Sequence, residues 1–241
     1  MAVTFKTDLP GPSATLCRSG ARLHDTAYAY LKNLLLHGSL APGDQISSET
    51  IGRVLSMSRA PVSDAIRRLT VEGLLEVQPQ IGCRVVTPVP SEVADFYELF
   101  GATEGVVARL AAKRRSAEQA AALRALFRQL ADHSDLPDEP DRRVAMLRER
   151  NRRRYERLHE LAGTPLSTGI AEGFWDRSDF FLQVAFGVQS LPAYVATGHA
   201  TLFQAVVDGE AATAERETRR TLARLGRDVA DVLGSQTTSR P

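Results

Sequence analysis

The chain has 241 residues, enough for two domains at roughly 150 residues each. Its composition, 43% apolar and 24% charged, is that of a globular protein; this excludes wholesale disorder or a fibrous fold, and no run nears the ~18 apolar residues of a membrane span. Thirty basic residues against 29 acidic leave a net charge of +1, so a nucleic-acid face would have to come from how charge is distributed.

Residues 1–21 lack the basic head and apolar core of a signal peptide, and Pro10, Gly11, Pro12, Ser13, Ser19 and Gly20 read as a flexible tail. Two cysteines, Cys17 and Cys83, build neither a disulfide framework nor a zinc cluster, so a cytoplasmic, reducing setting is expected. From Leu23, apolar residues Tyr28, Leu31, Leu34 and Leu35 recur at helical spacing up to about His37. Gly38 and Pro42–Gly43 stop that helix. A short extended segment follows around Asp44 to Ile46. Ser47 or Ser48 then caps a helix through Leu55. Ser58 caps the next, whose apolar face is Val62, Ala65, Ile66 and Leu69, with Pro61 in the first turn, where its missing N–H costs little. Beyond Gly73, the residues Leu75, Val77, Ile81–Gly82, Cys83, Val85 and Val86 predict a β-hairpin.

Helix, short helix, helix and hairpin within about 65 residues is the plan of a winged helix-turn-helix. The third helix would enter the major groove with Ser58, Arg59, Ala60, Pro61 and Ser63, where Arg59 can grip guanine or a phosphate. Arg67 and Arg68 would reach the backbone one turn on. Gly82 at the hairpin tip, with Arg84 beside it, would let the wing approach a groove. Four strings carry a resemblance: Ser39-Leu40-Ala41-Pro42-Gly43-Asp44, the run from Ser58 to Leu69, Glu72-Gly73-Leu74-Leu75 and Ile81-Gly82-Cys83-Arg84-Val85. Together they resemble the DNA-binding head of the GntR family of bacterial transcription regulators. Ser63 and Ile81 stand where that family usually carries basic residues. The segment 22–86 holds seven basic and six acidic residues, so moderate affinity per head and a need for a dimer are expected. The bland alternative is a winged helix used only to bind protein.

Thr87-Pro88-Val89-Pro90-Ser91 is a stiff linker. The domain reading is therefore a tail at 1–21, a head at 22–87, a linker at 88–91, a helical domain at 92–234 and a disordered end at 235–241. Helices are predicted over about 91–114, 116–133, 140–162, 166–188, 191–208 and 210–233, so the fold class is mainly α. Within this half, Phe96-Tyr97-Glu98-Leu99-Phe100 through Glu104, Leu158 to Leu166, and His199 to Val206 resemble the FCD-type domain of the FadR-like branch of that family. The resemblance implies an all-helical bundle that dimerises and encloses an effector.

Many members of the branch hold a divalent metal with an Asp, a His four residues on and two later His. Those places fall here on Asn151, Tyr155, His199 and Thr221. Only His199 keeps its type, so no metal cofactor is expected. His159, about 40° further round the helix than Tyr155, is expected to be exposed. Phe100 stands where the branch often has a ligand-holding arginine. A pocket of Phe100, Thr103, Asn151, Tyr155, Trp175, His199 and Thr221 would suit a neutral or apolar effector. The alternatives are that Tyr155 and His199 are plain core residues and that Trp175 belongs to the core or a dimer seam. The run from Arg142 to Arg157 carries eight arginines and two glutamates, read as a solvated helix face with an anion site or DNA contacts as alternatives.

The sequence thus predicts a cytoplasmic homodimer that reads a two-fold symmetric DNA operator, with no membrane partner. Repression is the expected outcome, controlled by a small molecule in the helical domain. One rival is a regulator that has lost its effector and acts constitutively or through a protein partner. The other is an enzyme on the helical domain, for which no nucleophile–base pair or intact metal set is present.

Overall fold

A computed structural model describes residues 5–12, 23–78, 82–132, 134–187 and 199–238. Most of the predicted tail, Ile81 of the wing, and the predicted break at Ser190–Pro192 with the first residues of the helix after it lie outside the described residues. The chain divides into two units, Met1–Pro88 with Asp179–Val184, and Val89–Ser178 with Ala185–Pro241.

In the first unit α1 (Leu23–Leu36) buries Ala27, Tyr30, Leu31, Leu34 and Leu35, the three-and-four spacing of one helix face. It packs on α3 (Arg59–Val71), which also receives α2 (Ser48–Leu55). Ser47 caps α2: its hydroxyl accepts from the Thr50 N–H at 3.0 Å. Ser56 ends α2 in the left-handed region (φ 53°), which a non-glycine residue enters at some cost, and the chain turns directly into α3.

The predicted hairpin is β2 (Leu75–Gln78) and β3 (Gly82–Val85). The short extended segment joins it as β1 (Gln45–Ile46), giving an antiparallel sheet of order β1-β3-β2. Ile46 pairs with Cys83, and Leu75 with Val85, so the apolar side of the sheet faces the helices. Residues 5–12 run against this unit: Phe5 bridges Gln45, and the Tyr30 hydroxyl donates to the Pro10 carbonyl at 2.6 Å.

The second unit is built from α4 (Pro90–Arg114), α5 (Ala117–Ala131), α6 (Pro140–Ala162), α7 (Pro165–Phe186) apart from its segment Asp179–Val184, α8 (Ala200–Asp208) and α9 (Ala211–Thr238). A reciprocal capping box, Ser116 with Gln119, starts α5. Val107 and Ala111 of α4, Leu123 of α5, Tyr155 and Leu158 of α6, and Leu202 and Val206 of α8 form the core. The helix α9 lies along α4, and two glycines set the spacing. A Cβ on Gly226 would sit 2.5 Å from the Tyr97 Cβ, and one on Gly105 would sit 3.0 Å from the Arg219 Cγ; at Gly101 it would rest in ordinary contact, 3.4 Å from the Leu222 Cβ. The last helix continues to Thr238, where the sequence predicts an end at 233 and disorder from 235. Gln236 reaches back to donate to the Ala185 carbonyl at 3.1 Å, which holds that final turn.

Candidate functional site

In α3 the stripe Val62, Ala65, Ile66 and Leu69 is buried. At about 100° per residue, Ala60, Asp64 and Arg67 stand opposite that stripe, and Arg59, Ser63 and Arg68 stand toward its edges. The helix therefore offers a small, polar, outward face, as a groove-reading helix must. Ser58 has the extended backbone of an N-cap residue (φ −68°, ψ 166°), but its hydroxyl accepts nothing from the helix. A capping oxygen takes the N–H of the second or third helical residue; the third here is Pro61, which has none, so only the Ala60 N–H is left to give and the Ser58 hydroxyl does not take it. The serine expected to cap the helix through its side chain instead keeps an exposed, unspent hydroxyl.

Each arginine of this face has an acidic partner. Arg59 meets Glu49 of α2 at 2.7 Å, and Arg53 meets the same carboxylate at 3.6 Å. Arg67 pairs with Asp64 one turn back. Arg84 donates through Nε to Glu76 at 2.6 Å, because the sheet register places the two directly opposite. Arg68 turns toward α1: its guanidinium lies 3.8 Å from the Tyr28 ring centre and 3.1 Å from Asp25. Arg68 is thus tied to the scaffold, which the bare spacing did not reveal.

Gly82 was expected at the hairpin tip. It instead opens β3, paired with Gln78, and the tip at 79–81 lies outside the described residues. Its φ of 136° suits glycine, and a Cβ there would sit 3.3 Å from the Phe5 ring. Close approach of the N-terminal segment accounts for this glycine.

In the helical unit, Phe100, Trp175, Tyr155 and His199 form a chain of contacts. Phe100 meets Trp175 edge to face at 5.0 Å, and Trp175 meets Tyr155 at 4.5 Å between ring centres. The Tyr155 hydroxyl lies 3.2 Å from His199 Nδ1. Asn151, one turn before Tyr155, is buried, and its Oδ1 has no hydrogen-bond partner among the described residues. Thr103 and Thr221 are half-exposed and outside this chain, and Thr103 donates to its own helix at Leu99.

At this cluster's edge one residue, Glu104, was given no role by the sequence reading, and another, His159, lies elsewhere than expected. Glu104 is fully buried and accepts from Trp175 Nε1 at 2.9 Å. Both its oxygens lie within 3.1 Å of His159 Nε2. His159, expected to be exposed, is buried because α4 and α7 cover it. The Thr168 hydroxyl gives its hydrogen to the Thr164 carbonyl, so His159 Nδ1, 3.3 Å away, meets a lone pair. Both ring nitrogens thus face oxygens, Nδ1 a hydroxyl and Nε2 the buried carboxylate. Burial, with the Glu104 charge adding to it, raises the Tyr155 phenol above the usual range.

This donor set fits a divalent metal poorly. His199 shares its Nδ1 with a phenol that stays protonated, Glu104 and His159 face each other, and no cluster of three His, Cys, Asp or Glu occurs among the described residues. Nor is the arginine run wholly solvated. Arg150 and Arg154 are buried, and Arg154 donates to the Leu130 carbonyl at 2.7 Å, closing the C-terminal end of α5.

The family model of bacterial regulatory proteins of the gntR family matches residues 23–85, and that of the FCD domain matches residues 95–224. Among curated proteins, an HTH-type transcriptional regulator in the TAR-I ttuE-ttuC' intergenic region of Agrobacterium vitis is 33% identical over 102 residues, 42% of this chain and 57% of that protein. The chain therefore spans little more than half the length of that relative. Among solved structures, E. coli McbR/YncC matches with a TM-score of 0.63 at 21% identity, covering 90% of this chain and 99% of that one. A GntR transcriptional regulator from Rhodococcus sp. RHA1 matches with a TM-score of 0.65 at 16% identity, covering 88% and 98%. At these identities the two structures speak to the fold alone. No helix among the described residues is long and apolar enough to cross a membrane.

Proposed function

The chain belongs to the GntR family of regulators, non-enzymatic HTH transcription regulators that bind DNA, and carries their FCD domain; from that premise we propose that it is a repressor, acting as a homodimer on a two-fold symmetric operator and released by a small neutral effector. The observation that carries the DNA reading is the start of α3, where an unspent Ser58 hydroxyl and an Arg59 side chain stand exposed beside a buried apolar stripe. Ala60, Pro61 and Ser63 are small enough for the helix to lie close to base edges, and Arg67 and Arg84 reach phosphates. The ion pairs of Arg59, Arg67 and Arg84 with Glu49, Asp64 and Glu76 do not oppose this role. Exposed pairs are worth about 0–1 kcal/mol, so a phosphate can take the place of each carboxylate. Arg68 contributes by holding α3 on α1.

The homodimer reading draws support from the outer face of α4 and α9. Asp95 and Glu98 stand on one helix, and Arg219, Arg220 and Arg227 on the other, around a shared groove. A two-fold axis would set acids against arginines. A cytoplasmic location follows from the DNA partner.

The effector would contact Asn151, Tyr155 and His199 against the rings of Phe100 and Trp175, with Thr103 and Thr221 at the margin. The orphan Asn151 Oδ1 asks for a donor, and the buried Glu104 carboxylate disfavours an anion there. We propose that this chamber works without metal. A second reading has one observation in its favour: Phe100, Trp175 and Tyr155 fill the chamber with each other. On that reading the protein is a constitutive or partner-controlled regulator.

The test is selection of bound duplexes from a random pool, followed by titration of the Arg59→Gln variant. A two-fold motif with half-sites about one helical turn apart, bound at least about tenfold more weakly by the variant, is expected. Selection of no motif would refute the operator reading. A thermal-shift screen of neutral metabolites separates the two effector readings, because a bound ligand raises apparent stability.

A further inference from the structure

We propose a second small-molecule site in the helical domain, between α5, α6 and α8, that takes a small organic carboxylate with an aromatic body. The cleft has a volume of about 300 Å³, at the lower end of the ~300–1,000 Å³ typical of small-molecule pockets. Its chemistry is one-sided. Arg124 and Arg128 come from α5 and Arg154 from α6, His199 opens α8, and among the described residues no acidic side chain lines it. Phe127, between Arg124 and Arg128 on the same face of α5, meets Phe203 with ring centres 4.0 Å apart and forms an apolar wall beside the charges.

The cationic groups differ in how they are held. Arg154 is buried with only 6% of its surface exposed. Burial, and then the neighbouring Arg150 guanidinium, lowers its pKa, so an anion in the cleft would relieve an unfavourable field. Arg124 keeps a loose 3.7 Å pair with Asp208 and can turn inward. The Arg128 side chain makes no ion pair or hydrogen bond among the described residues. A planar carboxylate accepts two parallel bonds from a guanidinium, and its ring would stack on Phe127. A bare inorganic anion would leave that wall without a partner, so the lining favours an amphipathic acid.

This cleft adjoins the ring cluster, with Phe203 facing the Tyr155 ring at 5.8 Å, but it is lined by other residues and is tested by different variants from the effector reading. His199 is the one residue common to both, with Nδ1 at 3.2 Å from the Tyr155 hydroxyl.

The test is calorimetric titration of the full chain with benzoate, benzamide and inorganic sulfate, repeated on Arg128→Gln and Arg124→Gln. Both arginines are exposed, so the fold should survive either change, and the thermal midpoint without ligand checks this. Benzoate is expected to bind saturably, with benzamide and sulfate each about tenfold weaker, and Arg128→Gln should weaken benzoate by about tenfold. Arg124→Gln should weaken it less, because that guanidinium is shared with Asp208. No saturable benzoate binding overturns the proposal. So does equal binding of benzamide, equal binding of sulfate, or an Arg128→Gln variant that binds benzoate unchanged.

Discussion

Replacing Gly226 by alanine should destabilise the helical domain, although glycine-to-alanine changes inside helices usually stabilise. On propensity alone the change gains about 1 kcal/mol. At Gly226, however, the new Cβ would sit 2.5 Å from the Tyr97 Cβ and 3.0 Å from its Cγ. Those atoms are not the free end of a side chain. Tyr97 is fully buried, and its hydroxyl is held 2.9 Å from Ser178 Oγ. Restoring normal contact means moving α9 from α4 by about 1 Å, an overpacking that costs about 1–3 kcal/mol, here toward the upper end. The net loss is about 2 kcal/mol, or a fall of roughly 4–8 °C in the midpoint for a chain of this length. Gly173 in α7 is the control, because a Cβ there meets nothing within 4 Å. Gly173→Ala should raise the midpoint by about 1–4 °C. Fluorescence of Trp175, the single tryptophan, follows unfolding of this domain. If Gly226→Ala moves the midpoint in the same direction as Gly173→Ala, the close approach of α4 and α9 is wrong.

Three further outcomes are expected. Glu49→Gln frees Arg59 and Arg53 from a shared carboxylate, so operator affinity by fluorescence anisotropy should rise about two- to tenfold at low salt and the gain should fade as salt rises; a loss of affinity would mean that Glu49 itself positions Arg59 for DNA. Glu104→Gln breaks a buried pair and should lower urea stability by about 3 kcal/mol or more, whereas a loss under about 1 kcal/mol would show that His159 and Trp175 do not depend on the carboxylate. Burial, with Glu76 adding to it, pushes the Cys83 thiol from 9.0 up to about 12. The native state then keeps a proton that the unfolded chain gives up, so this group's stabilising effect is complete below pH 9 and is lost as pH rises from 9 toward 12. In a Cys17→Ser background the native protein should resist thiol reagents at pH 8, and Cys83→Ala should flatten the decline in urea midpoint above pH 9; rapid native labelling would contradict the burial.

Much of the helical architecture was legible because local physics sets it. The Val62–Leu69 stripe, the Ser47 cap and the breaks at Gly163 and Gly209 each depend on residues within a turn or two. What escaped depends on distance along the chain. Glu104 meets His159 and Trp175 from 55 and 71 residues away, and no periodicity reports such a meeting. A helical wheel gives the angle between Tyr155 and His159 but not which helices cover each, so His159 read as exposed. The arginine run misled for a related reason: Arg150 and Arg154 are buried because the end of α5 leaves carbonyls that need donors, and α5 is a separate segment. At Ser58 the signal was present in the sequence, since Pro61 removes a donor that a side-chain cap would use.

The paired arginines of the head bear on how such a protein finds its site. A genome is mostly competitor, a vast excess of duplex that attracts any free cation on the protein. Here Arg59, Arg67 and Arg84 meet that excess already bound to Glu49, Asp64 and Glu76. Each must exchange a fixed internal carboxylate for a phosphate, and that exchange gains little on an arbitrary sequence. On the operator, base contacts made at the same time by the start of α3 shift the balance. The acids lower affinity everywhere by a similar factor, which leaves the ratio between operator and other sites unchanged while shortening every visit to the excess of wrong sites, so fewer molecules are held on non-specific duplex at any moment.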